Sequence, residues 1–115
     1  MSQANAIIVR IRKDEAEEFE RLFEAEELPI WDEFSNSGTF LYARLARVEY
    51  GTEEPNDVVP YLIYVEVPGM AEHSAHDSDP RFTSFLAKAR ALQPDQPSVF
   101  GGNVIFARSG EAQGD

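Results

Sequence analysis

The fold is decided by residues 58–67, which read VVPYLIYVEV. β-branched and aromatic residues at this density predict a strand, and Pro60 indicates an irregular start or an edge position. Successive side chains of a strand point to opposite faces. One face carries Ile63, Val65 and Val67, and the other carries Leu62, Tyr64 and Glu66. Both faces of this strand are therefore partly apolar.

Further strands surround this segment. Residues 39–50 alternate in the same way, and the polar turn at 51–57 predicts an antiparallel hairpin between the two. Strands are also predicted at residues 6–13 and 99–108. With one helix between each outer strand and the hairpin, the order is β-α-β-β-α-β. That order predicts an α+β, ferredoxin-like fold, a four-stranded antiparallel sheet with both helices on one face.

Two amphipathic segments supply the helices. The first begins at Asp14, and we expect a break or kink at Pro29, which lacks an N–H. The second follows Asp79, an N-cap residue placed before a proline, and extends to Leu92. Residues 68–78 are predicted to form a loop.

The helices can cover only one face of the sheet. The face predicted to lie under them carries Ile7, Val9, Ile11, Leu41, Ala43, Leu45, Ile63, Val65, Val67, Val104 and Phe106. The open face carries Ala6, Ile8, Arg10, Phe40, Tyr42, Arg44, Val48, Leu62, Tyr64, Glu66, Asn103 and Ile105. Aromatic residues mixed with arginine are typical of interfaces, and one small chain has no third layer. We therefore expect a homodimeric α+β barrel; the alternative is a solvated sheet with scattered apolar residues.

Composition excludes several classes of protein. The 115 residues contain no cysteine, which excludes disulfides and thiolate sites, and a net charge of −11 argues against a nucleic-acid partner. The chain shows neither an apolar run of about 20 residues nor a signal peptide, so we expect no membrane association and a cytoplasmic location. We predict a single domain over residues 1–115, with a core at about 6–108 and a frayed tail at 109–115.

Two short segments carry a resemblance to a known family. With Glu26-Glu27-Leu28-Pro29 at the helix joint and Phe40-Leu41-Tyr42-Ala43-Arg44 in the next strand, the chain resembles the dimeric α+β barrel superfamily. It is most similar to the EthD-like and antibiotic-biosynthesis-monooxygenase groups. Where those relatives commonly place a histidine, this chain has Glu27. The resemblance implies a small-molecule enzyme that uses no cofactor.

The candidate catalytic residues are Glu26 and Arg44. Regular helical phase places Glu26 in the apolar stripe, where desolvation raises the pKa of a carboxyl toward the range of a general acid or base; alternatively, an irregular helix end lets it reach water. Arg10 and Arg44 are candidates for neutralising an anionic ligand, or for ion pairs with Glu66 across the sheet or the dimer interface. The full set of candidate ligand-binding residues is Arg10, Trp31, Tyr42, Tyr64, Glu66 and Asn103.

Two histidines complete the list of candidates. His73 and His76 approach one metal ion if their segment is helical; the alternative is a solvent-exposed loop, and we expect no metal. Trp31 is alternatively a core residue at the helix joint.

Two functional hypotheses follow. The chain is either a cofactor-independent oxygenase or related enzyme acting on a small aromatic or polyketide-like metabolite, or a non-catalytic dimeric barrel that binds a small molecule or has a structural role. A cavity of about 300 Å³ or more between the sheets, with Arg10, Tyr42 and Glu66 converging on it, would support the enzyme hypothesis, and an intersheet space filled by side chains would exclude it.

Overall fold

Four antiparallel strands form one sheet in the computed structural model, which describes residues 2–110. They are β1 (Gln3–Arg12), β2 (Tyr42–Arg47), β3 (Val58–Val67) and β4 (Ser98–Asn103), in the spatial order β2-β3-β1-β4. The predicted α+β, ferredoxin-like fold is confirmed. Most of the predicted tail, residues 111–115, lies outside the described residues.

The helical layer has two parts. The first is one continuous helical segment made of α1 (Ala16–Leu22), a π-helical turn (Phe23–Glu27, the π segment) and α2 (Leu28–Asn36). The second contains α3 (Met70–Asp77) and α4 (Pro80–Arg90). The loop predicted at residues 68–78 is therefore wrong. None of the residues of α3 is buried, so the sequence of this helix has no apolar periodicity from which it could be predicted.

The break predicted at Pro29 is replaced by the π segment. In a regular α-helix the proline ring would clash with the carbonyl of residue 25. The helical turn before the proline instead contains one extra residue, so that the N–H of Leu28 donates to the carbonyl of Phe23, five residues earlier. The helix therefore passes Pro29 without ending, but its phase changes.

The core lies between the helices and one face of the sheet. Its fully buried residues include Ile11, Phe19, Tyr61 and Val67. The register alternates as predicted along β1 and β3, where Ile7 pairs with Ile63 and Ile8 with Leu62. The other face of the sheet has no element packed on it among the described residues, and it leaves Tyr42, Leu62 and Phe100 exposed.

Strand ends account for the errors in the predicted faces. Phe40 is buried in the core, whereas Leu41 is 54% exposed, the reverse of the prediction. Both precede β2, where the N–H of Phe40 donates to the carbonyl of Phe34 and turns the chain inward. β4 ends at Asn103, so Ile105 and Phe106 belong to no strand, and both are exposed.

A polar contact joins α1 to the sheet. The Tyr61 hydroxyl donates to Glu20 over 2.6 Å, and Arg47 donates to both oxygens of the same carboxylate. Burial and the hydrogen bond to Glu20 raise the pKa of Tyr61 to about 12. The contact gives the buried phenol a partner, as buried polar groups require. Within residues 2–110, no helix has the length and apolar character that a bilayer span requires.

The predicted N-cap at Asp79 is confirmed, because its side chain accepts a hydrogen bond from the N–H of Arg81 at 2.8 Å. We expect Asp79→Ala to lower the free energy of unfolding by about 1 kcal/mol, since it leaves an N–H of the first turn without a partner. Urea denaturation measures the change. Asp79→Asn keeps the capping oxygen and should lose less; equal losses in the two variants would contradict the capping role.

Candidate functional site

A buried carboxylate marks the candidate site. Glu27 is 3% exposed and lies at the end of the π segment. A regular helix would direct residue 26 into the stripe between Phe23 and Ile30. The wider π turn advances each residue by a smaller angle and brings Glu27 inward instead. π turns of this kind occur often at functional sites.

Two donors hold one oxygen of this carboxylate. Glu27 Oε2 lies 2.8 Å from Nε2 of His76 and 3.1 Å from Nε1 of Trp31, whose indole N–H donates to it. The other oxygen, Oε1, is buried and has no hydrogen-bond partner among the described residues. A buried acceptor without a partner is costly and calls for an explanation.

The His76 side chain extends from α3 to the Glu27 carboxylate and is surrounded by aromatic rings. Its ring centroid lies 4.2 Å from that of Phe82, 5.2 Å from Phe40 and 6.0 Å from Phe34. Burial of the ring disfavours its charged form, but hydrogen bonds and charge from Glu27 and Asp77 outweigh that effect and raise the pKa of His76 above its ordinary value. The imidazole therefore tends to hold its proton and to form a buried ion pair with Glu27.

This arrangement provides two chemical functions in an apolar setting. The free Oε1 of Glu27 can accept a hydrogen bond or a proton from a donor group of a ligand. The positive charge of His76 stabilises negative charge nearby, and it acts strongly because little water screens it.

The predicted catalytic residue Glu26 is placed differently from its neighbour. Its carboxylate lies on the flank of the helix, 29% exposed, and accepts a hydrogen bond from Lys88 at 2.7 Å. The prediction that Glu26 lies in the apolar stripe is therefore wrong, because the π segment shifts the phase. In the sequence, Glu27 stands out only as the residue at the position where the similar families carry histidine, and regular helical phase gives it no place in the apolar stripe.

The two histidines do not share a site. His73 lies 2.9 Å from Oε1 of Gln3 and 2.8 Å from Oδ2 of Asp77, whereas His76 faces Glu27. In the part of the chain that the structure describes, no group of three or more metal-ligating side chains comes together. Trp31 is 7% exposed, packs edge-on against Phe23, and so is a core residue that also positions Glu27.

Four other predicted residues form a cluster on the open face, at the paired ends of β2 and β3. The Arg44 guanidinium lies 5.0 Å from the centre of the Tyr42 ring, a cation–π contact. Tyr42 packs edge-on against Tyr64 at 5.8 Å, and the Tyr64 hydroxyl donates to Glu66 over 2.8 Å. This hydrogen bond raises the pKa of Tyr64.

Arg10 and Asn103 stand apart from this cluster. Arg10 forms an ion pair with Glu53 at 3.1 Å, and it lies six residues along β1 from Ala4, the residue opposite Glu66. That separation is about 20 Å, so within one chain Arg10 does not converge with Tyr42 and Glu66. Asn103 pairs with Gln3, whose other partner is the buried Val67, so Asn103 lies on the helix face rather than the open face.

The surface also carries open depressions away from these residues. One of about 490 Å³ lies between the π segment and the start of α4, lined by Glu26, Ile30 and Arg81 among others. It opens widely to solvent, whereas ligand pockets typically bury most of the ligand surface.

The buried pair makes stability depend on pH. Because the pKa of His76 is raised above 6.5 by folding, its stabilising contribution is complete below that pH and is lost as the pH rises through the folded-state pKa. We expect His76→Asn to cost about 3 kcal/mol of unfolding free energy at pH 6, since Glu27 loses its partner, and less at alkaline pH. Urea denaturation across this range measures the difference. His73→Asn, a histidine of the same helix that is more exposed, should cost under about 1 kcal/mol; a His76→Asn loss that grows with pH would contradict the assignment.

Comparison with known proteins bears on the fold. No protein-family model and no curated protein matches the chain. Among solved structures, it is similar to a candidate antibiotic biosynthesis monooxygenase from Caulobacter crescentus, with 18% identity, 91% of each chain covered and a TM-score of 0.72. A dimeric ferredoxin-like protein from an uncultured marine organism is 15% identical, with 94% of this chain and 93% of that chain covered and a TM-score of 0.71.

SnoaB from Streptomyces nogalater, a cofactor-independent oxygenase, is also similar, with 15% identity, 92% of this chain and 95% of that chain covered and a TM-score of 0.66. At such low identities the likeness concerns the fold. The chain therefore shares the ferredoxin-like α+β fold of the antibiotic biosynthesis monooxygenase-like proteins.

Proposed function

We propose that two copies of this chain pack their open sheet faces together into a homodimeric α+β barrel. The open face exposes Tyr42, Leu62 and Phe100, and aromatic side chains together with Arg44 are typical of interface cores. Helices cover the opposite face, so the open face is the one available to a partner. The proposal is supported by the marine protein of similar fold, which is described as a dimeric ferredoxin-like protein.

A pair of leucines tests the dimer. Leu62 lies on the open face and is 47% exposed, whereas Leu86 lies on α4 and is 39% exposed. We expect Leu62→Asp to dissociate the dimer, because it places a charge in a dry interface, and Leu86→Asp to leave it intact. Sedimentation velocity measures whether the mass is that of one 12.9 kDa chain or of two. A wild-type protein that stays monomeric at every concentration would contradict the proposal.

We further propose that the protein is a cofactor-independent oxygenase or a related enzyme acting on a small aromatic or polyketide-like metabolite. One observation carries this proposal: the buried Oε1 of Glu27 has no partner among the described residues, while Oε2 is held by His76 and Trp31. The aromatic rings around His76 suit a flat apolar substrate. SnoaB, which has a similar fold, is an enzyme of this type.

The chemistry needs a proton acceptor and a stabilised anion. Glu27 Oε1 takes a proton from the substrate, and the positive charge of His76 stabilises the substrate anion that remains. The anion then reduces dioxygen; the substrate loses two hydrogens and gains one oxygen atom, and the other oxygen leaves as water.

A second candidate function is a non-catalytic dimeric barrel. The close packing of Phe34, Phe40 and Phe82 around His76 favours it, because these side chains fill the space beside the pair. In that case the Glu27–His76 pair positions α3 and has no reaction to catalyse.

Neighbouring glutamates provide a matched test. We expect aromatic acids or hydroxyquinones to raise the melting temperature of the wild-type protein, and one of them to be consumed with uptake of dioxygen. Glu27→Gln should abolish dioxygen uptake, since an amide is no proton acceptor, whereas Glu26→Gln should keep it. Thermal shift and an oxygen electrode measure the two effects. Binding without turnover would favour the non-catalytic function, and the absence of both would contradict the oxygenase proposal.

The single-domain organisation and the cytoplasmic location remain predictions.

A further inference from the structure

Acidic residues are almost absent from the sheet. The chain has 21 of them, yet Glu66 is the only one in the four strands that the structure describes. The strands do carry arginines. A protein with a net charge of −11 thus keeps one acid on a face that is otherwise apolar or basic, which indicates a specific role for Glu66 rather than a contribution to solubility.

Arg44 is the matching charge. Its guanidinium lies over the Tyr42 ring, and within residues 2–110 no carboxylate lies within 4.0 Å of it. The arginines of β1 differ in this respect, because Arg10 pairs with Glu53 and Arg12 with Glu15. On the open face, Arg44 is therefore exposed and available to a partner.

The carboxylate of Glu66 also has one oxygen available for a further contact. Its Oε1 accepts the hydrogen bond from Tyr64, and its Oε2 forms no hydrogen bond among the described residues. In the register of β2 and β3, Tyr42 stands opposite Glu66, and Arg44 stands opposite Tyr64. Arg44 and Glu66 are thus diagonal neighbours about 7 Å apart, and the two tyrosines complete the square.

Burying this face without a partner for these charges would be strongly unfavourable. In a two-fold symmetric contact, a residue that meets another across the interface is met by it in return. When two sheets face each other, the two-fold axis lies in the plane between them. If it runs along the diagonal from Tyr42 to Tyr64, each Arg44 comes opposite the partner's Glu66. Resting on the dimer proposed above, we infer that Arg44 of each subunit forms an ion pair with Glu66 of the partner subunit, around a centre of four tyrosine rings.

Mixing two charge-reversed variants tests this pairing. Arg44→Glu alone and Glu66→Arg alone bring like charges together twice in their homodimers, so each should dimerise about 100-fold more weakly than the wild type. When the two variants are mixed, both contacts join opposite charges, and a heterodimer should form. An ion pair within one chain would not be restored by mixing. Sedimentation velocity with one variant fluorescently labelled measures the association.

Arg81→Glu and Glu33→Arg provide the control. These residues form an ion pair at 2.6 Å between α4 and α2, on the opposite side of the molecule, and involve the same charge changes. Their variants should dimerise like the wild type and gain nothing on mixing. Circular dichroism checks that each variant folds. If a charge-reversed variant does not fold, Arg44→Gln or Glu66→Gln replaces it, and each of these is expected to form a weaker dimer than the wild type.

The outcomes separate this inference from the dimer itself. A monomeric wild-type protein would overturn the dimer and the ion pair together. A wild-type dimer whose affinity is unchanged by Arg44→Glu and Glu66→Arg would overturn the ion pair alone. Weakened variants that fail to associate on mixing would also overturn it, because the charges would then act within one chain.

Discussion

The helices cover one face of the sheet, and both faces carry apolar side chains. This constraint explains how charge is distributed over the molecule. Among the described residues, the strands hold a single acidic residue, Glu66, whereas the helices and loops hold the others, of which only Glu27 is buried. Exposed aromatic residues such as Tyr42 and Phe100 would make a solvated sheet prone to association. Covering them with a second copy removes that liability, and no other layer is available within the described residues.

A single proline connects the fold to the candidate site. Pro29 cannot follow a regular turn, and the π segment that accommodates it rotates Glu27 into the interior. The buried carboxylate then requires donors, which Trp31 supplies from the same helix and His76 from α3. α3 has no buried residue of its own, so its attachment to the domain relies on these side-chain contacts. The local backbone irregularity therefore determines both the site and the position of the helix above it.

The sequence predicted the fold far better than the site. The alternation of side chains between the two faces of β3 and the helix cap at Asp79 could be predicted, because each depends on residues that are close in the chain. Glu27 was missed because regular helical phase favours Glu26, and no local pattern distinguishes a π turn from an α turn. α3 was missed because its polar contacts to the rest of the domain come from two histidines, His73 and His76, rather than from an apolar stripe. The distance between Arg10 and Glu66 could not be predicted, because it depends on the register of the paired strands, which the assignment of residues to faces does not specify.

The open face and the buried pair meet at one short segment. The N–H of Phe40 donates to Phe34 in α2, and the next N–H, of Leu41, donates to the carbonyl of Glu66 in β3. Phe40 packs against His76, while two residues later Tyr42 lies on the open face beside Arg44. Ordering Tyr42 and Glu66 in an interface would also restrain the backbone that holds Phe40 against the imidazole. The proposed dimer contact and the proposed site are thus joined through three consecutive residues, so the proposed interface would bear on the site even though each subunit contains a whole Glu27–His76 pair.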